Sequence, residues 1–369
     1  MKSILRFFII IVLAAIIIFA TTGCDDPDNS DGGVDNSSGG NNPGSENPVS
    51  VSGTSTIKAI AYGDGRFVAV GSPIGIGSEE AIAYSTDGIT WTAVTNHPFG
   101  SGIFGDVAWG NGRFVVVGSD SSSDNNLIGH STDGVTWTAV TDTIYNRSWI
   151  YAIVWGNDKF VAVGRNGGIY SMDGVTWTTV PNLSMFDALG SNQYIESIGW
   201  GNGKFVAGTT RMAYSSDGIT WTSAASYPFG LGIPGSYYTI YDYAWGNGRF
   251  VAVGSSGKMA YSTDGVTWIK VEDSTFGTSG IGSVAWGNGK FVAGGGSGKM
   301  AYSTDGENWT AVADSTFGAS VIYGGVTLDN TIFDIAWGNG KFVAVGTRSK
   351  MAYSTDGVTW TAVADSTFP

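Results

Sequence analysis

Hydrophobic and polar residues alternate along this chain in short runs separated by tight-turn sequences, and the same arrangement returns seven times. The last full copy, 335–363, reads I-A-W-G-N-G-K-F-V-A-V-G-T-R-S-K-M-A-Y-S-T-D-G-V-T-W-T-A-V. Short alternating runs bounded by Gly, Asn and Asp are typical of β-strands joined by turns. The pattern therefore predicts an all-β protein built from one repeated unit.

Each unit contains four short strand candidates. In the last unit these are Thr331–Trp337, Lys341–Val345, Lys350–Ser354 and Val358–Val363. Asn339-Gly340 is a strong two-residue hairpin signal, because both positions of a type I′ turn need a positive φ. Asp356-Gly357 provides the turn between the third and fourth strands. We therefore expect four antiparallel strands per unit.

The spacing of the units indicates how they assemble. Each contains the sequence S-x-D-G-x-x-W, and successive aspartates lie 46, 40, 44, 47, 41 and 51 residues apart. This is the period of propeller blades. We predict a seven-bladed β-propeller over residues 54–369. The chain enters on a first strand and leaves on a fourth, so closure would rest on packing of blade 7 against blade 1, unless Val49–Val51 supplies a shared strand.

The S-x-D-G-x-x-W sequence resembles the Asp-box of sialidase-like propellers, also called the BNR repeat, which normally reads S-x-D-x-G-x-x-W. All seven copies here lack the residue between Asp and Gly. The resemblance implies a propeller with these aspartates on the turn between the third and fourth strands, distant from any active centre. Physically, such an aspartate accepts backbone N–H bonds across its turn. We therefore interpret them as turn formers rather than metal ligands: Asp87, Asp133, Asp173, Asp217, Asp264, Asp305 and Asp356.

Charge and composition exclude several functions. The net charge is −13, which disfavours binding to a phosphate backbone. The single cysteine allows no internal disulfide, and two histidines make a His/Cys metal site improbable. We expect no nucleic-acid partner, no metal and no cofactor.

The N-terminus predicts export and anchoring. Lys2 and Arg6 precede the apolar run Phe7–Ala20, whose 14 residues fit a signal-peptide core better than a membrane span. The run ends in T-T-G-C, which resembles the bacterial lipoprotein signal. That resemblance implies cleavage of residues 1–23, a lipid on Cys24 and an extracytoplasmic protein anchored in the bacterial cell envelope. The alternative is an ordinary signal peptide with an incidental thiol. Residues 24–53, acidic and rich in Asn, Ser and Gly, predict a flexible tether.

The loops suggest a binding surface. The N-G and D-G turns are predicted to share one face of the ring, while the links between units and the second-to-third-strand loops share the other and vary in sequence. Loops of this kind carry function more often than the strands that they join. Aromatic and polar candidates there are Tyr145, Arg147, Trp149, Tyr194, Tyr237, Tyr238 and Tyr323, and basic candidates are Arg211, Lys258, Lys299 and Lys350.

Each set has a simpler alternative. The aromatic side chains would equally well plug gaps between blades, as expected for Phe99, Phe229, Phe276, Phe317 and Phe368, which recur in register. The basic residues, which would attract an acidic ligand, are otherwise ordinary solvated charges at loop ends.

The predicted channel suggests a possible catalytic centre. Three residues before the hairpin aromatic, the first strands carry Asp106, Asp242 and Asp334, with Glu196 nearby. These carboxylates would suit acid–base chemistry or a cation; a water-filled channel lined with polar residues explains them as well. No G-x-S-x-G, H-E-x-x-H or P-loop sequence occurs.

From the sequence we therefore predict a membrane-tethered propeller that binds protein or glycan on its loop-rich face, as a scaffold rather than an enzyme. The alternatives are a glycan-processing hydrolase similar to the Asp-box enzymes, or an assembly factor for membrane complexes.

Overall fold

The computed structural model describes residues 55–72, 82–100, 102–119, 126–141, 149–181, 183, 186, 194–230, 238–323 and 326–364, with only the backbone at 321–323 and 326–328. It confirms an all-β fold of seven four-stranded blades in a ring. The predicted signal peptide with Cys24, the tether, Tyr145, Arg147, Tyr237 and Phe368 lie outside these ranges, as does the side chain of Tyr323. No helix among the described residues is long and apolar enough to cross a bilayer.

The first four blades follow the chain in order. Blade 1 consists of β1 (Thr56–Gly63), β2 (Arg66–Ser72), β3 (Ile82–Ser85) and β4 (Thr92–Ala93). Blade 2 consists of β5 (Ile103–Gly110), β6 (Arg113–Ser119), β7 (Asn126–Ser131) and β8 (Thr138–Ala139). Blade 3 consists of β9 (Ile150–Gly156), β10 (Lys159–Gly164), β11 (Gly167–Ser171) and β12 (Thr178–Thr179). Blade 4 consists of β13 (Ser197–Gly201), β14 (Lys204–Gly208), β15 (Met212–Ser215) and β16 (Thr222–Ser223).

The last three blades repeat the design, with one insertion. Blade 5 consists of β17 (Ile240–Gly246), β18 (Arg249–Gly254), β19 (Met259–Ser262) and β20 (Ile269–Lys270). Blade 6 consists of β21 (Ile281–Gly287), β22 (Lys290–Gly295), β23 (Met300–Ser303) and β24 (Thr310–Ala311). A separate hairpin, β25 (Val321–Tyr323) and β26 (Val326–Leu328), precedes blade 7. Blade 7 consists of β27 (Ile332–Gly338), β28 (Lys341–Gly346), β29 (Met351–Ser354) and β30 (Thr361–Ala362).

Turn chemistry sets the blade. Asn339 and Gly340 have φ of 45° and 72°, as the predicted type I′ hairpin requires. The fourth strand is shorter than expected, with two residues in β30, because residues 355–359 belong to the preceding turn. The hairpin β25–β26 was not anticipated within the long link 313–331.

The hydrophobic core lies between blades. The second strand of each blade is buried almost completely, and apolar side chains of adjacent blades form one cluster per interface. Phe317 lies in the link after blade 6, is 1% exposed and packs between blades 6 and 7. Phe229 and Phe276 fill the equivalent gaps between blades 4 and 5 and blades 5 and 6. A single blade cannot bury both of its faces, so the ring is the unit that folds.

The ring closes without a shared strand in the described chain. Blade 7 contains four consecutive strands, and β27 packs directly against β1. Polar contacts support this interface: Lys341 Nζ donates to the Asp87 carbonyl (2.8 Å), and the Ser349 N–H donates to the Ser55 carbonyl (2.9 Å). Closure therefore rests on side-chain packing and hydrogen bonds between the first and last blades.

Candidate functional site at the mouth of the central channel

The seven S-x-D-G turns are closed structural units. In blade 5, the Asp264 carboxylate accepts the N–H groups of Val266 and Thr267, both at 2.8 Å, and the Ser262 hydroxyl at 2.9 Å. The same contacts recur at the other six turns. Partial burial alone would raise the pKa of Asp87, but these donors lower it to about 2. The aspartates therefore act as turn formers.

The hairpin turns link neighbouring blades on the same face. The Asn288 side-chain amide in blade 6 donates to the Thr355 carbonyl in blade 7 at 3.0 Å. Asn339 makes the equivalent contact with Thr86 of blade 1, also at 3.0 Å. We call this surface, formed by the hairpin turns and the S-x-D-G turns, the tight-turn face. Because its polar groups already bond to one another in a repeated pattern, it offers little that is specific to a ligand.

The three channel aspartates connect adjacent blades. The Asp106 carboxylate accepts the Ile153 N–H of blade 3 at 2.8 Å, and the Asp242 carboxylate accepts the Val284 N–H of blade 6 at 2.9 Å. Asp334 accepts the Ile60 N–H of blade 1 at 2.8 Å, across the closure of the ring. These backbone contacts give every channel aspartate a structural role that the sequence did not predict.

Two of these aspartates share a serine. The Ser283 hydroxyl lies 2.8 Å from an Asp242 oxygen and 2.9 Å from an Asp334 oxygen. A serine hydroxyl has one proton to donate. Both contacts are therefore hydrogen bonds only when one carboxyl carries a proton and donates it to Ser283 Oγ.

Burial disfavours negative charge at this level. It raises the pKa of Asp106, Asp242 and Asp334, and the charge of Asp334 raises the pKa of the other two further. Among the described residues, no group of three or more His, Cys, Asp or Glu side chains has an arrangement that could hold a metal ion. The predicted catalytic residues Asp106, Asp242 and Asp334 thus form buried contacts between blades. In the part of the chain that the structure describes, no basic side chain forms an ion pair with them.

A β-bulge re-aims one residue of each inner strand just above this level. In blade 1, Ile57 pairs with Gly71 and Ala59 with Val70, so Lys58 is the extra residue. The same shift occurs in five other inner strands, while Glu196 occupies the equivalent position immediately before β13. Bulges often re-aim side chains next to functional sites. We call these seven positions the bulge layer: Lys58, Gly105, Tyr151, Glu196, Tyr241, Gly282 and Phe333.

Exposure distinguishes the bulge layer from its neighbours. Each residue immediately before it is apolar and at most 2% exposed, as for Ile57, Ile195 and Ile332. The bulge-layer residues are all partly exposed, and Tyr241 reaches 38%. They lie near the start of the inner strands, where links and second-to-third-strand loops form the loop-rich face. The bulge layer therefore surrounds the mouth of the channel on that face.

Glycines in the second strands permit this geometry. A Cβ at Gly118 would collide with the Ile103 carbonyl, and one at Gly254 with the Thr239 carbonyl. Glycine at these points lets the two strands approach closely where the bulge begins. The repeated glycine that ends each F-V-x-V-G-like run thus supports the channel mouth.

The side of the mouth formed by blades 3 to 5 is acidic and aromatic. Glu196 of blade 4 lies between blade 3, which carries Tyr151, and blade 5, which carries Tyr241. Burial raises the pKa of Glu196 to about 7. Burial, then the charge of Glu196, raises the pKa of both tyrosines. No ion pair to Glu196 occurs in the described part of the chain.

The opposite side contains a cation on an aromatic ring. Lys58 Nζ of blade 1 lies 4.0 Å from the ring centroid of Phe333 in blade 7. Burial lowers the pKa of Lys58 to about 8. Gly105 and Gly282, on the adjacent blades 2 and 6, add no side chain. The mouth is therefore asymmetric, with a lysine on one side and a glutamate on the other.

Of the predicted aromatic residues, Tyr194 contacts the bulge layer, whereas Tyr238 packs against the hydrophobic cluster between blades 4 and 5. Tyr194 stacks on Tyr151, with ring centroids 6.5 Å apart, and the Arg165 guanidinium lies 5.7 Å from the Tyr194 centroid. Tyr238 lies under the Lys258 ammonium, 3.9 Å from its ring centroid. Trp149 is half-buried at the start of β9. The structure thus joins Tyr194 to the bulge layer and places Tyr238 with Lys258.

The predicted basic residues hold links in place. Lys299 Nζ donates to the Phe276 carbonyl at 2.9 Å, and Lys350 Nζ donates to the Phe317 carbonyl at 2.6 Å. Arg211 is half-buried in the loop before β15. Lys299 and Lys350 therefore hold in place the phenylalanines that fill the gaps between blades. Because each ammonium group already bonds to a carbonyl, it is only partly available to a ligand.

Sequence reasoning missed most of the bulge layer. A signal was present in the sequence. The position four residues before each hairpin aromatic varies freely among the units, whereas the position before it is always apolar and the position after it is always small or acidic. The sequence does not indicate that a bulge turns this position towards the channel.

Several solved structures share the propeller fold of this chain. The sequence matches no protein-family profile and none of the curated proteins. It is similar in structure to YCF48 from Cyanidioschyzon merolae, with 16% identity, a TM-score of 0.57 and coverage of 81% of this chain and 95% of that one. A structure of YCF48 bound to D1 peptide gives 16% identity, a TM-score of 0.58 and coverage of 82% and 92%.

A third similar structure is the WD40 β-propeller domain of Doa1, with 10% identity, a TM-score of 0.53 and coverage of 82% and 93%. At these identities the likeness shows the fold alone. The class that fold and site define is a seven-bladed β-propeller with an asymmetric channel mouth.

Proposed function

We propose that this protein is a binding module that holds a protein or peptide partner on its loop-rich face, over the bulge layer. The observation that carries the proposal is the contrast between a strictly repeated ring and seven non-repeating, partly exposed residues at one end of its channel. A rigid ring presents these side chains at little ordering cost, which favours binding. The similar fold of YCF48, determined with a bound peptide, is consistent with this use of a propeller.

Photo-crosslinking tests where the partner binds. A photoreactive amino acid replaces Tyr241, which is 38% exposed at the mouth, or Met172, which is 57% exposed on the tight-turn face. We expect one or a few defined adducts from position 241 and none from position 172. Adducts that form equally from both positions, or only from 172, would contradict the proposed face.

We further propose that the ring is tethered to a membrane through a lipid on Cys24, with residues 24–53 as the tether. The support is the lipoprotein-like T-T-G-C sequence after an apolar run. Cys24→Ser should release the protein from the membrane fraction. Retention of this variant in membranes would indicate that the apolar segment 7–20 anchors it instead.

A glycan is the second ligand class suggested by the resemblance to Asp-box propellers. Incubation of the full chain with polysaccharides, read for both retention and released product, separates the two functions. Product release that is lost in Asp106→Asn would favour a hydrolase; retention without product would favour a glycan-binding module.

A further inference from the structure

We propose that the Glu196 side of the bulge layer binds a basic side chain, an arginine or lysine presented by the partner polypeptide, with its cationic head against Glu196 and between Tyr151 and Tyr241. This inference rests on the proposed function above and specifies the chemistry that the partner must present.

Charge imbalance is the first argument. Four carboxyl groups face the mouth or the level below it, namely Glu196, Asp106, Asp242 and Asp334, and none forms an ion pair within the described residues. Lys58 faces them from the opposite side but lies on Phe333 rather than on a carboxylate. Arg165 lies 5.7 Å from the Tyr194 ring centroid, and its charge lowers the pKa of Tyr151, so one cation already lies near this side of the mouth. A cation entering the mouth would therefore meet the Glu196 carboxylate, which has no ion pair among the described residues, in a site partly screened from water.

Aromatic surroundings are the second argument. Tyr151 and Tyr241 stand on the blades at either side of Glu196, and Tyr194 extends the aromatic surface from Tyr151 outward. A carboxylate flanked by aromatic rings suits arginine especially, because the guanidinium can stack on a ring while it bonds to the carboxylate. Lys58 over Phe333 shows the same preference within this mouth, with a cation 4.0 Å from an aromatic centroid.

Access is the third argument. The mouth opens on the loop-rich face, and Tyr241 is 38% exposed there, while Glu196 itself is partly exposed. A long side chain can therefore reach Glu196 while its backbone stays on the loop-rich face.

The test uses the purified full-length chain and three small probes that differ in charge. These are N-acetylarginine amide, N-acetylcitrulline amide, which has nearly the same shape without the charge, and N-acetylglutamate amide. Binding is measured by calorimetric titration at low ionic strength. We expect the arginine probe to bind about tenfold more tightly than the citrulline probe, the difference that a charge-assisted contact provides.

Matched variants assign the effect to the site. Glu196→Gln should weaken arginine binding about tenfold, while Glu272→Gln, which removes the same charge from an exposed side chain paired with Lys270, should leave it unchanged. The second variant is essential because any cation is attracted weakly to a chain of net charge −13. Tyr241→Leu should weaken the arginine probe without affecting the glutamate probe.

A pH series gives an independent readout. Binding of the arginine probe should strengthen from pH 6 to pH 8, because Glu196, with a pKa of about 7, gains its negative charge in this range. Lys58, with a pKa of about 8, loses its positive charge near the upper end of this range. This loss also strengthens binding of the arginine probe, because it removes a repulsion between two cations. Asp242, whose pKa burial raises to about 7, titrates in the same range, so the pH dependence should be shallower in Glu196→Gln than in the wild type rather than absent.

Equal affinity for the arginine and citrulline probes, or equal losses in Glu196→Gln and Glu272→Gln, would overturn the inference. Preferential binding of the glutamate probe would overturn it in favour of an anion site at Lys58. If the probes do not discriminate by charge while crosslinking from position 241 persists, the partner still binds the loop-rich face, and only the basic side chain is disproved.

Discussion

Glu196→Gln should stabilise the protein at alkaline pH, although it removes a charged group from the proposed site. Burial raises the pKa of Glu196 from 4.5 to about 7. The folded protein therefore binds a proton between these values that the unfolded chain has released, so wild-type stability falls as pH rises through this window. Above about pH 7 the loss is complete.

The magnitude follows from the shift. The rise of the Glu196 pKa from 4.5 to about 7 corresponds to about 3–4 kcal/mol, at about 1.36 kcal/mol for each step of one in pKa. The side chain is partly exposed to the channel, where water reduces the effect, so we expect about 2 kcal/mol. Glutamine has the shape of the protonated acid and does not ionise. The variant should therefore match the wild type near pH 4.5 and exceed it by about 2 kcal/mol at pH 8, or roughly 3 °C in melting temperature for a ring of this size.

Urea unfolding followed by tryptophan fluorescence, at several values between pH 4.5 and pH 8, measures this difference. Other carboxyl groups also titrate, but they cancel when the two curves are subtracted. Glu272→Gln is the control and should shift stability by less than about 0.5 kcal/mol throughout. A difference that stays flat with pH, or that favours the wild type at pH 8, would show that Glu196 is compensated by a partner in the fold.

Three further perturbations test the framework of the ring. Asp264→Ala should lower the free energy of unfolding, measured in urea, by about 1–2 kcal/mol, because the N–H groups of Val266 and Thr267 lose their acceptor. Binding of the arginine probe should not change. A weaker affinity at unchanged stability would contradict a purely structural role for this turn. Asp334→Ala should lower the free energy of unfolding by about 2–4 kcal/mol, because the N–H groups of Ile60 and Ile335 lose their acceptor. Asp334→Asn should have an intermediate effect. Equal melting temperatures for Asp334→Ala and the wild type would refute a role of Asp334 in closing the ring. Phe317→Ala should lower the free energy of unfolding by about 3–5 kcal/mol, because it empties the gap between blades 6 and 7. Ile269→Ala is the control and should have a small effect, because this side chain is 53% exposed.

The predicted site residues illustrate the reach of sequence reasoning. The seven turn aspartates were identifiable because their contacts are local, within three residues of each Asp. Asp106, Asp242 and Asp334 were also found, as positions at one level of the channel, but their partners lie 42 or more residues away in the next blade or across the closure. Their role in joining blades was therefore not visible. Lys299 and Lys350 were selected as a basic rim, whereas the structure shows both ammonium groups bonded to carbonyls of the plugging links.

The sequence by itself determined the class of fold. Alternation with period two, N-G and D-G turns and a recurring S-x-D-G-x-x-W unit fix strand, turn and blade number, because each depends on backbone preferences and contacts within a few residues. These features also place the loops on one face, since antiparallel strands fix the direction of every connection.

Only the tertiary structure decided what the channel mouth contains. Lys58, Tyr151, Glu196 and Tyr241 belong to different units, and nothing in their local sequence relates one to another. A β-bulge re-aims Lys58, Tyr151 and Tyr241, Glu196 holds the equivalent position before β13, and the closed ring brings all four to a common mouth. Their burial and mutual charges, which set the pKa of Glu196, arise from that assembly, because desolvation depends on which blades surround a side chain rather than on its neighbours in sequence.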